Sequence, residues 1–360
     1  MKKKNVFILV LLAALFAACS DSDDIIDPTE LPPSETQKIL VLCEGAWNKN
    51  NSTLAFYDLK SKTKDFDYFT TVNKRGLGDT ANDMIKYGSK IYIVVNESGT
   101  IEVIDAATGK SLKQIEMKEK TAEGKEINKQ PRNAAAYGGK VYVTSFDNTV
   151  TRIDTVLLAI DGSVTVGRDP EGICIKNGKI YVANSGGLDF PNYDKTVSVI
   201  DLNSFEEIKQ IEVGLNPYQV FADSQGDVYV SVRGDYADIT PSFKKISPSY
   251  EVSAIANLTV SEFTIVNDKA YILYNEWGKE SEVKVFDCKT EKVVTDNFVT
   301  DGTAISNGYK ITADAYSGDV YVTTSDYTTS GNVLCFDNKG EYKFTLPSVG
   351  IGPNKIILLD

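Results

Sequence analysis

One phrase recurs seven times along the chain, and its spacing constrains the fold more than any other feature. It reads KIYVANSGG from Lys179. Its relatives are KILVLCEG from Lys38, KIYIVVNESG from Lys90, KVYVTSFD from Lys140, DVYVSVRGD from Asp227, KAYILYNEWG from Lys269 and DVYVTTSDY from Asp319. Equivalent positions lie 39 to 52 residues apart, the period of a four-stranded propeller blade. Each copy reads as an inner strand, apolar throughout because blades stack on both of its faces.

Each copy leads into a second strand, such as GTIEVID, KTVSVID or SEVKVFD, and then a more polar one, such as KSLKQIEM. A further strand precedes the next copy, as in NDMIKYG, RNAAAYGG and EGICIKNG. The last of this type, NKIILLD, ends the chain with no copy after it, and the copy at Lys38 has none before it. A ring resolves both absences and leaves no open sheet edge. The sequence therefore predicts an all-β chain: a seven-bladed β-propeller of four-stranded antiparallel blades over 38–360, its first blade completed by the C-terminal strand.

Six of the second strands end in Asp (Asp58, Asp105, Asp154, Asp201, Asp287 and Asp337), with Ser247 in the seventh place. A side-chain oxygen there can accept a backbone N–H two residues on and shape the turn. We read these carboxylates as structural.

The loops between the first two strands, and those before the next blade, share one face around the channel mouth. They do not repeat, and binding residues concentrate on such loops. The aromatic candidates for ligand binding are Trp47, Phe146, Phe190, Tyr193, Tyr218, Tyr236, Trp277 and Tyr327, with Asn48 beside the first. Four of the five arginines, Arg75, Arg132, Arg168 and Arg233, fall in the same loops. Guanidinium groups take phosphates and planar amides through forked hydrogen bonds; they also pin loops, and both roles stay open here. Acidic residues, among them Glu44, Asp83, Glu97 and Asp189, are scattered over this face in no calcium-loop or glycosidase spacing.

Composition removes several classes. The net charge of −12 excludes a protein that tracks a nucleic-acid backbone. The chain has no histidine, which excludes Ser-His and Cys-His catalysis and His-ligated metals. Cys43, Cys174, Cys288 and Cys335 match no metal or redox motif. Most read as small buried hydrophobes, and no disulfide pair can be chosen from sequence. We expect no enzyme, no bound metal and no cofactor.

Residues 1–18 read as a signal peptide: Lys2–Lys4, then an apolar run and small residues before Cys19. LFAAC resembles a bacterial lipobox, with Phe16 where Leu is usual, which marks Cys19 for lipidation. Residues 19–37 are acidic and proline-bearing, the composition of a disordered tether. CSDSDD resembles the export signal of Bacteroides-type surface lipoproteins, implying a lipid-anchored protein of the outer membrane that faces outward.

LCEGAWNKNNSTLAFYD, VNKRGLGDTANDMIKYGSKIYIVVNESGTIEVID and DPEGICIKNGKIYVANSGGLDFPNYDKTVSVID resemble the YncE-like propellers of Bacteroides surface lipoproteins, in particular the BtuG-type cobalamin-capturing group. The resemblance implies capture of vitamin B12 and related corrinoids on the loop-rich face. It also implies transfer of the vitamin to a BtuB-type TonB-dependent transporter. A surface propeller that binds a glycan or a protein for another uptake system is the alternative.

Overall fold

The computed structural model describes residues 27–360 except 122 and 277. The signal segment, Cys19 and Trp277 lie outside the described residues. Seven four-stranded antiparallel sheets form the ring. In blade 4 the strands are Pro170–Lys176, Lys179–Asn184, Thr196–Asp201 and Glu206–Glu212, side by side in that order. The recurring phrase is thus second from the axis, and the strand before it lines the channel. Neighbouring innermost strands, such as Pro131–Tyr137 and Pro170–Lys176, pack against each other.

The recurring-phrase strands, such as Lys90–Val95 and Lys179–Asn184, are buried almost end to end because a blade covers each face. The core lies between blades rather than within them. Tyr181, Val197 and Val199 of blade 4 pack with Val220, Val228 and Val230 of blade 5. Each such side chain contributes roughly 1.5–3 kcal/mol when fully buried. Among the repeated tyrosines, Tyr229 donates its hydroxyl to the Cys288 carbonyl at 3.2 Å. The buried Tyr92 hydroxyl has no partner among the described residues.

The ring closes as the sequence predicts. Lys38–Cys43 pairs antiparallel with Thr53–Asp58 on one side and with Pro353–Leu359 on the other, with Leu40 opposite Ile357. The turn carboxylates behave as structural groups. Asp154 Oδ1 accepts the Val156 and Leu157 amides at 2.9 and 2.7 Å. Asp201 and Asp337 accept amides in the equivalent way, and Ser247 Oγ accepts the Glu251 amide at 3.1 Å. All four described cysteines are free, and burial pushes each thiol up to about 12.

Two features depart from the sequence reading. The outer strand of blade 1 is only Lys64–Asp65, and the helix Tyr68–Asn73 follows, an element that an all-β reading does not include. Phe69 of this helix is fully buried with Leu54, Leu77 and Ile104, so the helix covers what a longer strand would have covered. The second departure is the end of the tether. Residues 27–37 are laid along the bottom of the ring instead of hanging free. Asp27 Oδ2 accepts the Tyr87 hydroxyl at 2.7 Å and the Gly138 amide at 2.5 Å. Pro28–Glu30 forms a short 3-10 turn, and the Gln37 amide reaches the Leu359 carbonyl at 2.7 Å. Backbone bonds and prolines that fit the surface hold a segment whose composition alone reads as disordered.

Between this strap and the bottom ends of the inner strands lies a cavity of about 740 Å³, lined by Pro32, Lys86, Thr312 and Ile356 among others. No helix among the described residues is long and apolar enough to cross a membrane.

Candidate ligand cavity at the channel mouth

Every innermost strand begins at the loop-rich face, so its opening residues sit where the channel opens. Around the ring the second residues are Asn82, Arg132, Glu171, Tyr218, Tyr309 and Asn354, and in the remaining strand the first residue, Glu262, takes this place. All but Glu171 line a cavity of about 890 Å³. That volume is at the upper end for small-molecule sites. Glu171 is buried behind Arg132 and takes its guanidinium in a fork, at 2.9 and 3.2 Å.

The floor holds two hydrogen-bonded networks. Arg132 Nη1 donates to Asn82 Oδ1 at 2.7 Å. Asn354 Nδ2 donates to the Asn82 carbonyl at 2.7 Å and to Glu44 Oε1 at 2.8 Å. The Tyr309 hydroxyl donates to Glu44 at 3.1 Å. Lys310 Nζ donates to Glu262 Oε1 at 2.7 Å and to the Tyr218 hydroxyl at 2.9 Å.

Burial sets the electrostatics. It raises the Glu44 carboxyl above the ordinary range, against the pull of Lys310 and of its hydrogen bonds. Burial and the Glu44 charge together raise the Tyr309 phenol. Burial alone would lower Lys310, but Glu262 and the tyrosines around it hold its ammonium well above the usual value. Arg132, Arg233 and Lys310 stand against Glu44, Glu171 and Glu262, while Lys355 pairs with Asp83 at 2.9 Å. Charges of both signs are therefore interspersed, which suits a ligand rich in dipoles better than a polyanion or polycation.

Five of the sequence candidates line this cavity: Arg132, Tyr218, Arg233, Tyr236 and Tyr327. Tyr327 stands edge-on to Tyr309 at 5.4 Å and is two-thirds exposed. Others support the rim from outside it. Phe146 lies under the Arg132 guanidinium at 4.5 Å. Phe190 and Tyr193 continue outward from Tyr236, ring to ring at 6.0 and 6.1 Å.

Two arginines are loop pins. Arg75 binds the buried Glu102 and sits over Phe69, and Arg168 holds Asp189 and the Asn192 carbonyl. Trp47 is exposed on a neighbouring loop, where the Asn48 amide donates to Asp79. Neither lines the cavity. Sequence reasoning missed Asn82, Glu262, Tyr309, Lys310 and Asn354. Their signal was positional: polar residues opening strands that are otherwise half apolar. Among the described residues no group of three or more His, Cys, Asp or Glu could hold a metal ion.

Fold and mouth together define a seven-bladed propeller with a polar, tyrosine-edged cavity at one end of its channel. The chain belongs to the family described as a domain of unknown function, DUF5074, whose profile matches residues 37–345. No curated protein matches the sequence. Among solved structures, the chain is similar to a "quinonprotein alcohol dehydrogenase-like protein" of Bacteroides thetaiotaomicron. The identity is 17%, the TM-score 0.64, and the match covers 90% of this chain and 78% of that one. It is also similar to Kuenenia stuttgartiensis hydrazine synthase, at 16% identity and TM-score 0.59, covering 74% and 85%. The computationally designed protein Ika8 matches at 13% identity and TM-score 0.56, covering 90% of each chain. At these identities the likeness is one of fold.

Proposed function

We propose that the protein is a binding protein, not an enzyme, and that it captures a corrinoid, cobalamin, in the cavity at the channel mouth. The observation that carries this reading is a roughly 890 Å³ space edged by Tyr218, Tyr236, Tyr309 and Tyr327 over a floor of paired charges and amides. Rings supply large apolar contact with a polar tip, and asparagine and glutamine side chains match the amides that surround a corrin. With no histidine in the chain, the vitamin's lower base is not displaced by an imidazole. The resemblance of the sequence to BtuG-type surface lipoproteins supports the same ligand. It supports lipidation of Cys19, an outward-facing place on the outer membrane, and transfer to a BtuB-type TonB-dependent transporter. The run Phe190–Tyr193–Tyr236, exposed at its two ends and half-buried at Tyr193, leads away from the cavity rim and is a surface such a partner could cover.

Calorimetric titration of the full-length protein with cyanocobalamin tests the ligand. We expect one site with a dissociation constant below about 1 μM, or about −8 kcal/mol. Absence of heat and of any change in tryptophan emission overturns the corrinoid reading. Binding to a glycan array in that case supports the alternative of a glycan-binding propeller.

A further inference from the structure

We propose that Arg233, stacked on Tyr218, is the residue that recognises an oxyanion of the ligand, and that this oxyanion is a phosphodiester. The inference rests on the ligand-capture reading and adds to it the group that the cavity selects.

The argument begins with how the five arginines are used. Arg75 is bound to Glu102 and Ser111, Arg132 to Glu171 and Asn82, Arg152 to Asp161, and Arg168 to Asp189 and the Asn192 carbonyl. The Arg233 guanidinium alone makes no hydrogen bond among the described residues. Its nearest carboxylate oxygen, Glu262 Oε1, is 4.0 Å away and is already taken by Lys310 at 2.7 Å. A guanidinium carries five N–H donors, and without a protein acceptor those of Arg233 stay available to a ligand.

Its position is nevertheless fixed. The guanidinium carbon lies 3.2 Å from the centre of the Tyr218 ring. Lys310 holds that ring by its hydroxyl. The Arg233 and Gly234 amides are bonded to the Asn216 and Leu215 carbonyls at 2.9 and 3.0 Å. Gly234 has φ +72°, and a Cβ there would lie 1.8 Å from the Ile239 carbonyl oxygen, so this bend tolerates no side chain. Stacking occupies one face of the guanidinium and leaves its edges for a partner. A fork of parallel donors matches two oxygens of one group better than a single carbonyl. Lys310 and Arg132 line the same cavity, but Glu262 and Glu171 take their charges, which leaves the Arg233 fork as the unspent one. A planar cation held ready, with its donors unspent, is a receptor for a phosphate or carboxylate edge. Within a corrinoid, the phosphodiester is that group.

The test uses full-length protein and two substitutions. Arg233→Met keeps a stem on the Tyr218 ring and removes the fork; Arg233→Lys keeps the charge alone. Calorimetry compares cobalamin with cobinamide, a corrinoid that lacks the phosphodiester. We expect Arg233→Met to weaken cobalamin about ten- to a hundredfold, as for loss of charged hydrogen bonds. Cobinamide binding should be unchanged, and Arg233→Lys should fall between. Equal weakening of both corrinoids overturns the proposal and makes Arg233 a support for the rim.

A second measurement separates failure of the corrinoid reading from failure of this one. Line broadening of dimethyl phosphate (by phosphorus NMR) and of acetate (by proton NMR) is followed with native and Arg233→Met protein. Broadening of dimethyl phosphate that disappears in the variant supports the subsite even when no corrinoid binds. Broadening of acetate alone, or of neither probe, overturns it. An unchanged thermal midpoint shows that the variant is folded.

Discussion

At the residue scale, the turn carboxylates were legible and their acid sensitivity follows. Hydrogen bonds from the Leu157 amide and Lys140, then from Val156, hold the Asp154 carboxyl down at about 2. Turn amides likewise lower Asp58, Asp201, Asp287 and Asp337, and the Thr108 hydroxyl followed by the Thr108 amide lowers Asp105. A carboxyl whose folded value is depressed stabilises the fold above its unfolded value, near 3.9, and loses that contribution as pH falls through the folded value. Glu44, Asp169 and Asp223 run the other way, because burial raises them, and their protonation on acidification favours the folded state. We expect the six turn groups to dominate, so that the urea midpoint falls between about pH 4 and pH 2. Asp154→Ala should cost about 1–2 kcal/mol at pH 7 and flatten that fall; a profile unchanged by the substitution would remove the turn role. The arginines were less legible. Their type and face could be read, but whether a guanidinium meets a ligand or a loop depends on which carboxylates the fold brings near it. Arg168 finds Asp189 twenty-one residues on, and Arg233 finds no free one.

At the scale of elements, the strands were readable because each repeats a buried pattern dictated by stacking. The channel-lining strands carried the site, and their opening residues look like loop ends in one dimension. Only the ring aligns Asn82, Glu262, Tyr309 and Asn354 around a common mouth. The helix Tyr68–Asn73 escaped notice because it occurs once, at the blade whose outer strand is shortest. Its worth to the fold is measurable. Phe69 is fully buried between blade 1 and blade 2, and Phe69→Ala should cost about 3–5 kcal/mol of unfolding free energy. A loss below about 1 kcal/mol would show that the helix merely rests on the blade.

At the scale of the molecule, closure was the strongest inference from sequence, since two absences at opposite ends of the chain explain each other. Its consequence is cooperative. Ending the chain at Gly352 removes Pro353–Leu359, leaving Lys38–Cys43 unpaired on one edge and the innermost strand of blade 2 with an innermost neighbour on one side only. We expect that truncated chain to lose its near-ultraviolet circular dichroism and its single sharp urea transition; retention of both would mean that the ring is not needed for folding. The strap across the bottom was invisible in composition, because what holds it is the shape of the surface beneath. Thr312 and Ile356 line both the cavity at the mouth and the strapped space beneath it. A bulkier side chain at either position therefore narrows the two ends of the channel at once.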